Sequence, residues 1–385
     1  SGGPAIKSTG LLGGLTSLLG AITLNGTSSD VGVEIDSLPL SAAGGNIIIE
    51  GSGNNAGVSI STLLSSILPV TGSVSIKGTS DSGPGVSISD LSPITATLGD
   101  LTIVGSSTSG LGVSVSDATL TAALGDITVT GNSTSGFGVL LDGASALSSL
   151  LTATVGRISI TGEGSKGSSI GACTLSSVAQ SVNINGYGAT GTGNNVGVEV
   201  SNQCIITTPT LTVYGEGGDS DGTSGNSGVV AAFGVYPVVL VMDVTGIAGI
   251  GSSNSHGVHI TSLTAVALTS FTIDGRTASG SQVNGPNHGV LIQGVILAAL
   301  ASYDITGNSL DTMTSSGVQI EADLLTTLGN IDFLGSCNNC GVSSNGVSIQ
   351  SSITSLAISV SGSCNTCGDN SLAVLTNGPL SATLT

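Results

Sequence analysis

Positive charge is nearly missing from this sequence: five Lys+Arg stand against 23 Asp+Glu, for a formal net charge of -18. Such a chain repels a phosphate backbone, which excludes nucleic acid as a partner. Aromatic residues make up 2% of the total and Trp is absent. The aromatic and basic side chains with which a β-helical enzyme would grip an acidic polysaccharide are therefore almost gone, and the acids are scattered rather than gathered as a catalytic pair. Long apolar runs are missing too. The most membrane-like stretch, Val229 to Met242, is too short to cross a bilayer as a helix and contains Gly234 and Pro237, so no membrane span is expected. No segment keeps a 3.6-residue apolar period, and Gly interrupts every candidate helix.

What the chain does contain is 61 Gly and 39% apolar residues, mostly Val, Ile, Leu and Ala. That is too hydrophobic for a disordered chain and suits a pleated, close-packed interior. A glycine recurs at the end of a short strand-like segment at Gly26, Gly51, Gly78, Gly105, Gly131, Gly162, Gly186, Gly215, Gly246, Gly275, Gly307, Gly335 and Gly362, with a mean spacing of 28. A period of that size with three short strands per repeat predicts a solenoid. The first strand alternates, with pairs such as Leu101/Ile103, Ile127/Val129 and Ile158/Ile160 on the inner face. The second strand opens on Gly-Val, as in GVSIS from Gly57 and Gly85, GVHIT from Gly257 and GVQIE from Gly317. Its glycine is expected at a corner closed to residues with a Cβ. The reading is all-β: a right-handed parallel β-helix of about 13 coils of ~28 residues, three short strands each, spanning 1–385 as one solenoid. Residues 1–20 form an incomplete first coil, and the segment Ile170 to Gln180 is the least regular.

Gly3 to Lys7 aligns with the GVSIS strand, and the last residues read as a third strand, neither with a capping element. The expectation is that Pro4 and Ile6 at one end and Leu380 and Leu384 at the other meet further coils, either further repeats of a longer chain or those of another copy joined head to tail. The corner between first and second strands grows over 186–385, from 6 residues at Gly26–Gly32 to 14 at Gly275–Gly289. Loops enlarged on one face of a solenoid are where a cell-surface or glycan ligand would bind. Val230 and Leu291 occupy outward strand positions and mark an expected subunit contact.

Six cysteines, an even number, fit an oxidising compartment. Cys337/Cys340 and Cys364/Cys367 form C-x2-C pairs separated by 23 residues, a spacing that also suits tetrahedral zinc. Both pairs follow the first-strand glycine by the same offset, which stacks them at one corner of adjacent coils within disulfide reach, so disulfides are expected, within or between coils. Cys173 and Cys204 are candidates for a third bridge. Asp219 and Asp221, two apart before Gly222, resemble part of a calcium loop, which makes calcium a possible ligand although the later bidentate Glu is missing. No other cofactor is expected. His256 and His288 precede Gly-Val in neighbouring coils and His259 shares a strand with His256, a set that could ligate a metal or stack as a polar ladder. Asp243, Asp274, Asp304 and Asp332 form an outward acidic stripe, expected to be a solvated face rather than an active site.

The motif G-[DN]-I-T-[IV]-x-G followed by G-V-S-I-S, seen at Gly99 to Gly105, Gly125 to Gly131 and Gly85 to Ser89, resembles that of repetitive β-helical bacterial surface exoproteins, the filamentous-haemagglutinin-like adhesins and autotransporter passengers. The resemblance covers nearly the whole chain. It implies a β-helix at the cell surface or outside the cell. The function expected is structural rather than enzymatic: a rod-like subunit of a surface filament. The alternatives are the stalk of an adhesin and, third, a polysaccharide-active enzyme.

Overall fold

The computed structural model describes residues 3–9, 14–61, 66–90, 92–144, 149–191, 194–219, 225–236, 238–250, 254–265, 269–279, 286–298, 302–310, 314–326 and 329–382. Their regular structure is all β, in parallel sheets stacked as a β-solenoid of about 12 turns spaced ~28 residues apart. Thirteen closing glycines delimit 12 intervals, which accounts for the difference from a count of 13. Two compact units are present: Ser1–Ile184 with Gln203–Pro209, and Asn185–Asn202 with Thr210–Thr385.

In the first unit a typical coil runs Leu101–Ser107, Val113–Ser116 and Thr119–Ala122 before the next begins at Ile127–Ser133. Alternation decides which side chains point inward. Leu101, Ile103, Val113, Val115, Leu120 and Ala122 are sealed inside, while Thr102 and Ser114 stand half-exposed. Successive coils align residue for residue: Leu101 pairs with Val74 below and Ile127 above, and Gly105 with Gly78 and Gly131. Each inner position thus becomes a column of aliphatic side chains at the ~4.8 Å strand spacing.

The glycine columns have a steric cause. A Cβ on Gly105 would lie 2.0 Å from the carbonyl oxygen of Gly112, and one on Gly131 1.9 Å from that of Gly138. The first-strand glycine therefore presses backbone to backbone on the second-strand glycine of the same coil, and in the last coil Gly362 presses in the same way on Ala373. Their φ angles are ordinary; crowding, not a left-handed conformation, excludes larger residues. The same contact recurs in the second unit at Gly275, where an added Cβ would lie 2.1 Å from the oxygen of Gly289, although the two are 14 positions apart. Enlarged corners are thus pinched off at a base that does not change.

Two details of register differ from expectation. Ile6 pairs with Val33 and Ser8 with Ile35, so the first strand sits two residues from the alignment of Gly3 with the second-strand glycine. A shift of two keeps every side chain on its face, which is why the pattern alone did not reveal it. Ile170 to Gln180 is regular: Cys173–Ser177 pairs with Ser149–Ala153 over all five residues. Its preceding second strand, Lys166–Ile170, carries a buried Ser168 where other coils have Val, which breaks the sequence pattern but not the stacking.

The second unit has bulkier filling, with Met242, Phe271, Tyr303 and Phe333 in successive first strands. Its third strands also change allegiance. In the first unit they belong to the sheet of the first strands; in the second, Ile296–Ala298, Leu324–Thr326, Ile353–Ser355 and Leu380–Ala382 belong to that of the second strands. Val258–Ala265 runs through both positions and pairs with Val290–Ile292 and Ile296–Ala298 alike.

Leu291 is not a surface residue. It is 4% exposed, and Gln319 and Ser348, next in its outward column, are buried as well. Lower in the same column, Val230 and His259 are half-buried. Leu291 is therefore closed to the expected subunit contact, whereas Val230 keeps part of its side chain at the surface. Leu240 and Val295 in the same region are exposed, and in the first unit Leu98, Leu124 and Val155 stand one above another at the corner after the third strand.

Candidate functional site

Corners between strands leave backbone groups without ladder partners, and these must be satisfied when buried. In the first unit the corner before the first strand does this with the second residue of the G-[DN]-I motif. Asn46 Oδ1 accepts from the N–H of Ser73, Ser73 Oγ from Asp100, Asp100 Oδ1 from Asp126 and Asp126 Oδ1 from Arg157. Each side chain reaches one coil onward. Arg157 adds an exposed ion pair to Asp126 at 3.1 Å. Ser80, Ser107 and Ser133 form a second ladder, each donating to a carbonyl of the previous coil and accepting from the N–H of the residue three on.

The second unit carries two ladders of opposite direction just before the second strand. In one, the N–H of each coil donates to a side chain of the next: Asn195 to Asn226, Asn226 to Ser255, Ser255 to Asn287, Asn287 to Ser315, Ser315 to Ser344 and Ser344 to Ser371. In the adjacent column the N–H donates backwards. His256 donates to Ser227 Oγ at 3.0 Å, His288 to His256 Nδ1 at 3.1 Å and Ser316 to His288 Nδ1 at 3.0 Å.

This geometry decides the histidines. His256 and His288 stack with ring centroids 5.3 Å apart, and His259 meets His256 edge-on at 5.2 Å. Both Nδ1 atoms are occupied as acceptors, which fixes the neutral tautomer with hydrogen on Nε2. Among the described residues the ligand atoms of three or more His, Cys, Asp or Glu converge only at Cys337, Cys340 and Cys367. The His256–His259–His288 metal site is thus replaced by a ladder. Burial pushes His256 well below the usual imidazole range and His288 down to about 4, in spite of the opposing charge of Glu321 on His288. His259, lowered by burial as well, contacts Gln293 Oε1 through Nε2 at 2.7 Å.

Asp219 is similarly engaged: its Oδ1 accepts from the N–H of Ile250 at 2.8 Å. Asp221, its partner in the calcium reading, lies outside the described residues, as does Leu384. The acidic stripe is real but split. Asp243, Asp304 and Asp332 share one outward column, and Asp274 lies in the other, where it pairs with Arg276 at 2.7 Å.

The C-x2-C cysteines close on themselves. Cys337–Cys340 and Cys364–Cys367 are disulfides, each with Cα atoms 5.9 Å apart. Asn339 and Thr366 take left-handed φ angles of 54° and 52° and fold each pair back within its own coil. Cys337 and Cys364 are nonetheless strand partners, so the bridges stack. Cys173 and Cys204 form no bridge. They are buried free thiols in hydrogen-bonding contact, and burial raises the Cys204 thiol well above its ordinary value. Alkylation of the unfolded, unreduced protein is expected to label Cys173 and Cys204 and to leave the other four protected. Six labelled cysteines would overturn the assignment.

A shallow groove of about 400 Å³ follows the corner of the first unit between the first and second strands. Ser28, Asn54, Asp81, Thr108 and Thr134 line it, a hydroxyl, amide or carboxylate from each coil. The sequence pointed instead to the enlarged corners of 186–385. The groove was illegible because single Ser and Thr residues in a Ser-rich chain carry no distinguishing signal. Compared with protein-family models, with curated proteins and with solved structures, the chain matches none. Its likeness to haemagglutinin-like exoproteins rests on the repeat motif.

Proposed function

We propose that this chain is an extracellular structural protein, a β-solenoid subunit of a surface filament that grows by stacking coil on coil. One observation carries the reading. The outermost described coils hold the same apolar columns as the interior but leave them uncovered. Val374 is 37% and Leu380 41% exposed, whereas their strand partners Val347 and Ile353 are fully buried. In the first unit Leu15 is 43% exposed above a buried Leu40, and Ile6 is half-buried above a buried Val33. A face of this kind accepts a further parallel coil in register, and natural proteins leave such edges open where something pairs with them. The partner proposed for that face is another copy of the chain, in a head-to-tail contact that does not close on itself, with further coils of a longer chain as the other source. The net charge of -18 discourages lateral clumping. The exposed column Leu98, Leu124 and Val155 is where side-by-side contact remains favourable.

Electron microscopy and light scattering test this. Fibres with an axial repeat of one subunit are expected, and Val374→Lys with Leu380→Lys is expected to leave monomers. A wild-type protein that stays monodisperse and monomeric at high concentration would refute it. A second reading, an adhesin stalk that holds a neutral glycan, has the polar groove of the first unit in its favour. Saturable binding of a neutral oligosaccharide, lost when Asn54 and Thr108 become Ala, is its expected signature.

A further inference from the structure

We propose that the two C-x2-C pairs, once reduced, form a tetrathiolate site for Zn2+ that bridges two coils. The spacing is that of a structural zinc site, and the fold supplies the missing dimension. Cys337 pairs in register with Cys364, and Asn338 with Asn365, which sets one pair directly above the other. The sulfurs of Cys337, Cys340 and Cys367 all lie within 4.8 Å of one another. The fourth, that of Cys364, is bonded to Cys367.

A tetrahedral site with Zn–S bonds of about 2.3 Å needs its sulfurs about 3.8 Å apart. Reduction lets the two sulfurs within each pair separate, and the three sulfurs already gathered need close by only about an ångström, with Cys364 free to swing in once its bond to Cys367 is broken. Backbone oxygens hold the sulfurs in place meanwhile. Ser315 O lies 3.6 Å from Cys337, Ser344 O 3.5 Å from Cys364 and Cys337 O 3.4 Å from Cys367, all within reach of a thiol donor.

Each disulfide takes two electrons and two protons from a dithiol reductant, which is oxidised to its own disulfide. Zn2+ then displaces the four thiol protons to the buffer as four Zn–S bonds form. The consequence is mechanical. Each disulfide stays within one coil, whereas the metal joins two, so the reduced, metal-bound form is braced along the stack where the oxidised form is not. Cys173 and Cys204, buried elsewhere in the first unit, take no part. The proposal stands independently of the filament reading.

The test is anaerobic reduction with a dithiol, its removal, and titration with Co2+ followed by Zn2+. A single equivalent of Co2+ is expected to give sulfur-to-cobalt charge transfer and tetrahedral d–d bands, which Zn2+ bleaches. The bands should persist in Cys173→Ser and vanish in Cys337→Ser/Cys367→Ser. Wild-type protein alkylated after reduction provides the same loss without relying on the variant's folding. A reduced protein that keeps its β circular dichroism yet binds no metal would overturn the proposal. So would bands that survive alkylation or the double substitution.

Discussion

Gly131→Val is expected to unfold the coils around it, with a loss of about 4 kcal/mol or more, in the range reserved for the most disruptive single substitutions. The new Cβ would fall 1.9 Å from the Gly138 oxygen, 2.6 Å from its carbon and 2.8 Å from Val139 Cγ2. Two of these are backbone atoms, and they cannot retreat. A Cβ on Gly138 itself would lie 2.2 Å from the nitrogen of Glu163 in the next coil, so movement away from Gly131 meets another backbone. Close-packed interiors transmit such strain rather than absorb it. Because Gly131 is held between Gly105 and Gly162 in one column, the damage spreads along the stack. Gly191→Ala is the control, since nothing lies within 4 Å of the added carbon. Urea unfolding followed by far-ultraviolet circular dichroism measures both. A Gly131→Val protein with wild-type stability would show that the glycine columns are not needed for the corner.

Acid is expected to weaken the second unit through its histidine ladder. His288 is depressed by burial from 6.5 to about 4, so between these values the unfolded chain binds the proton and the folded one does not. The stabilisation is complete above about pH 6.5, declines as pH falls, and is gone below about pH 4. A shift of that size corresponds to about 3 kcal/mol for this residue. His256, lowered well below its ordinary value, acts in the same direction. The structural reason is plain: a protonated ring has hydrogen on both nitrogens, so Nδ1 could no longer accept from the backbone N–H of His288 or Ser316. Acid acts on more than this one residue, so the comparison must be with a variant. His288→Asn places in the ladder the residue type found at Asn345, the same corner position two coils on. It should unfold in urea with a markedly smaller loss between about pH 7 and pH 4 than the wild type. Equal losses in both would refute a role for His288 in acid sensitivity.

What the sequence by itself determined is whatever repeats within a few residues. The alternation of Leu101/Ile103 or Ile127/Val129 names the inner face because strand geometry has a period of two. The recurrence of Gly105 and Gly131 gives the coil length because each coil must pass the same crowded corner. Even the stacking of Cys337 on Cys364 follows from their equal offset from a glycine. Only the tertiary structure decided which neighbour each corner side chain serves. Asn226, Ser227 and His256 look alike as polar residues before Gly-Val. Yet Asn226 accepts from the coil before it and Ser227 and His256 from the coil after, a choice set by where backbone N–H groups point. The same holds for the cysteines, which close within coils because Asn339 and Thr366 turn left-handed, and for Leu291, outward by alternation but covered by its own chain. Periodicity fixes the direction a side chain leaves the backbone. What waits there for it, some 28 residues away in the chain, depends on the packed coils.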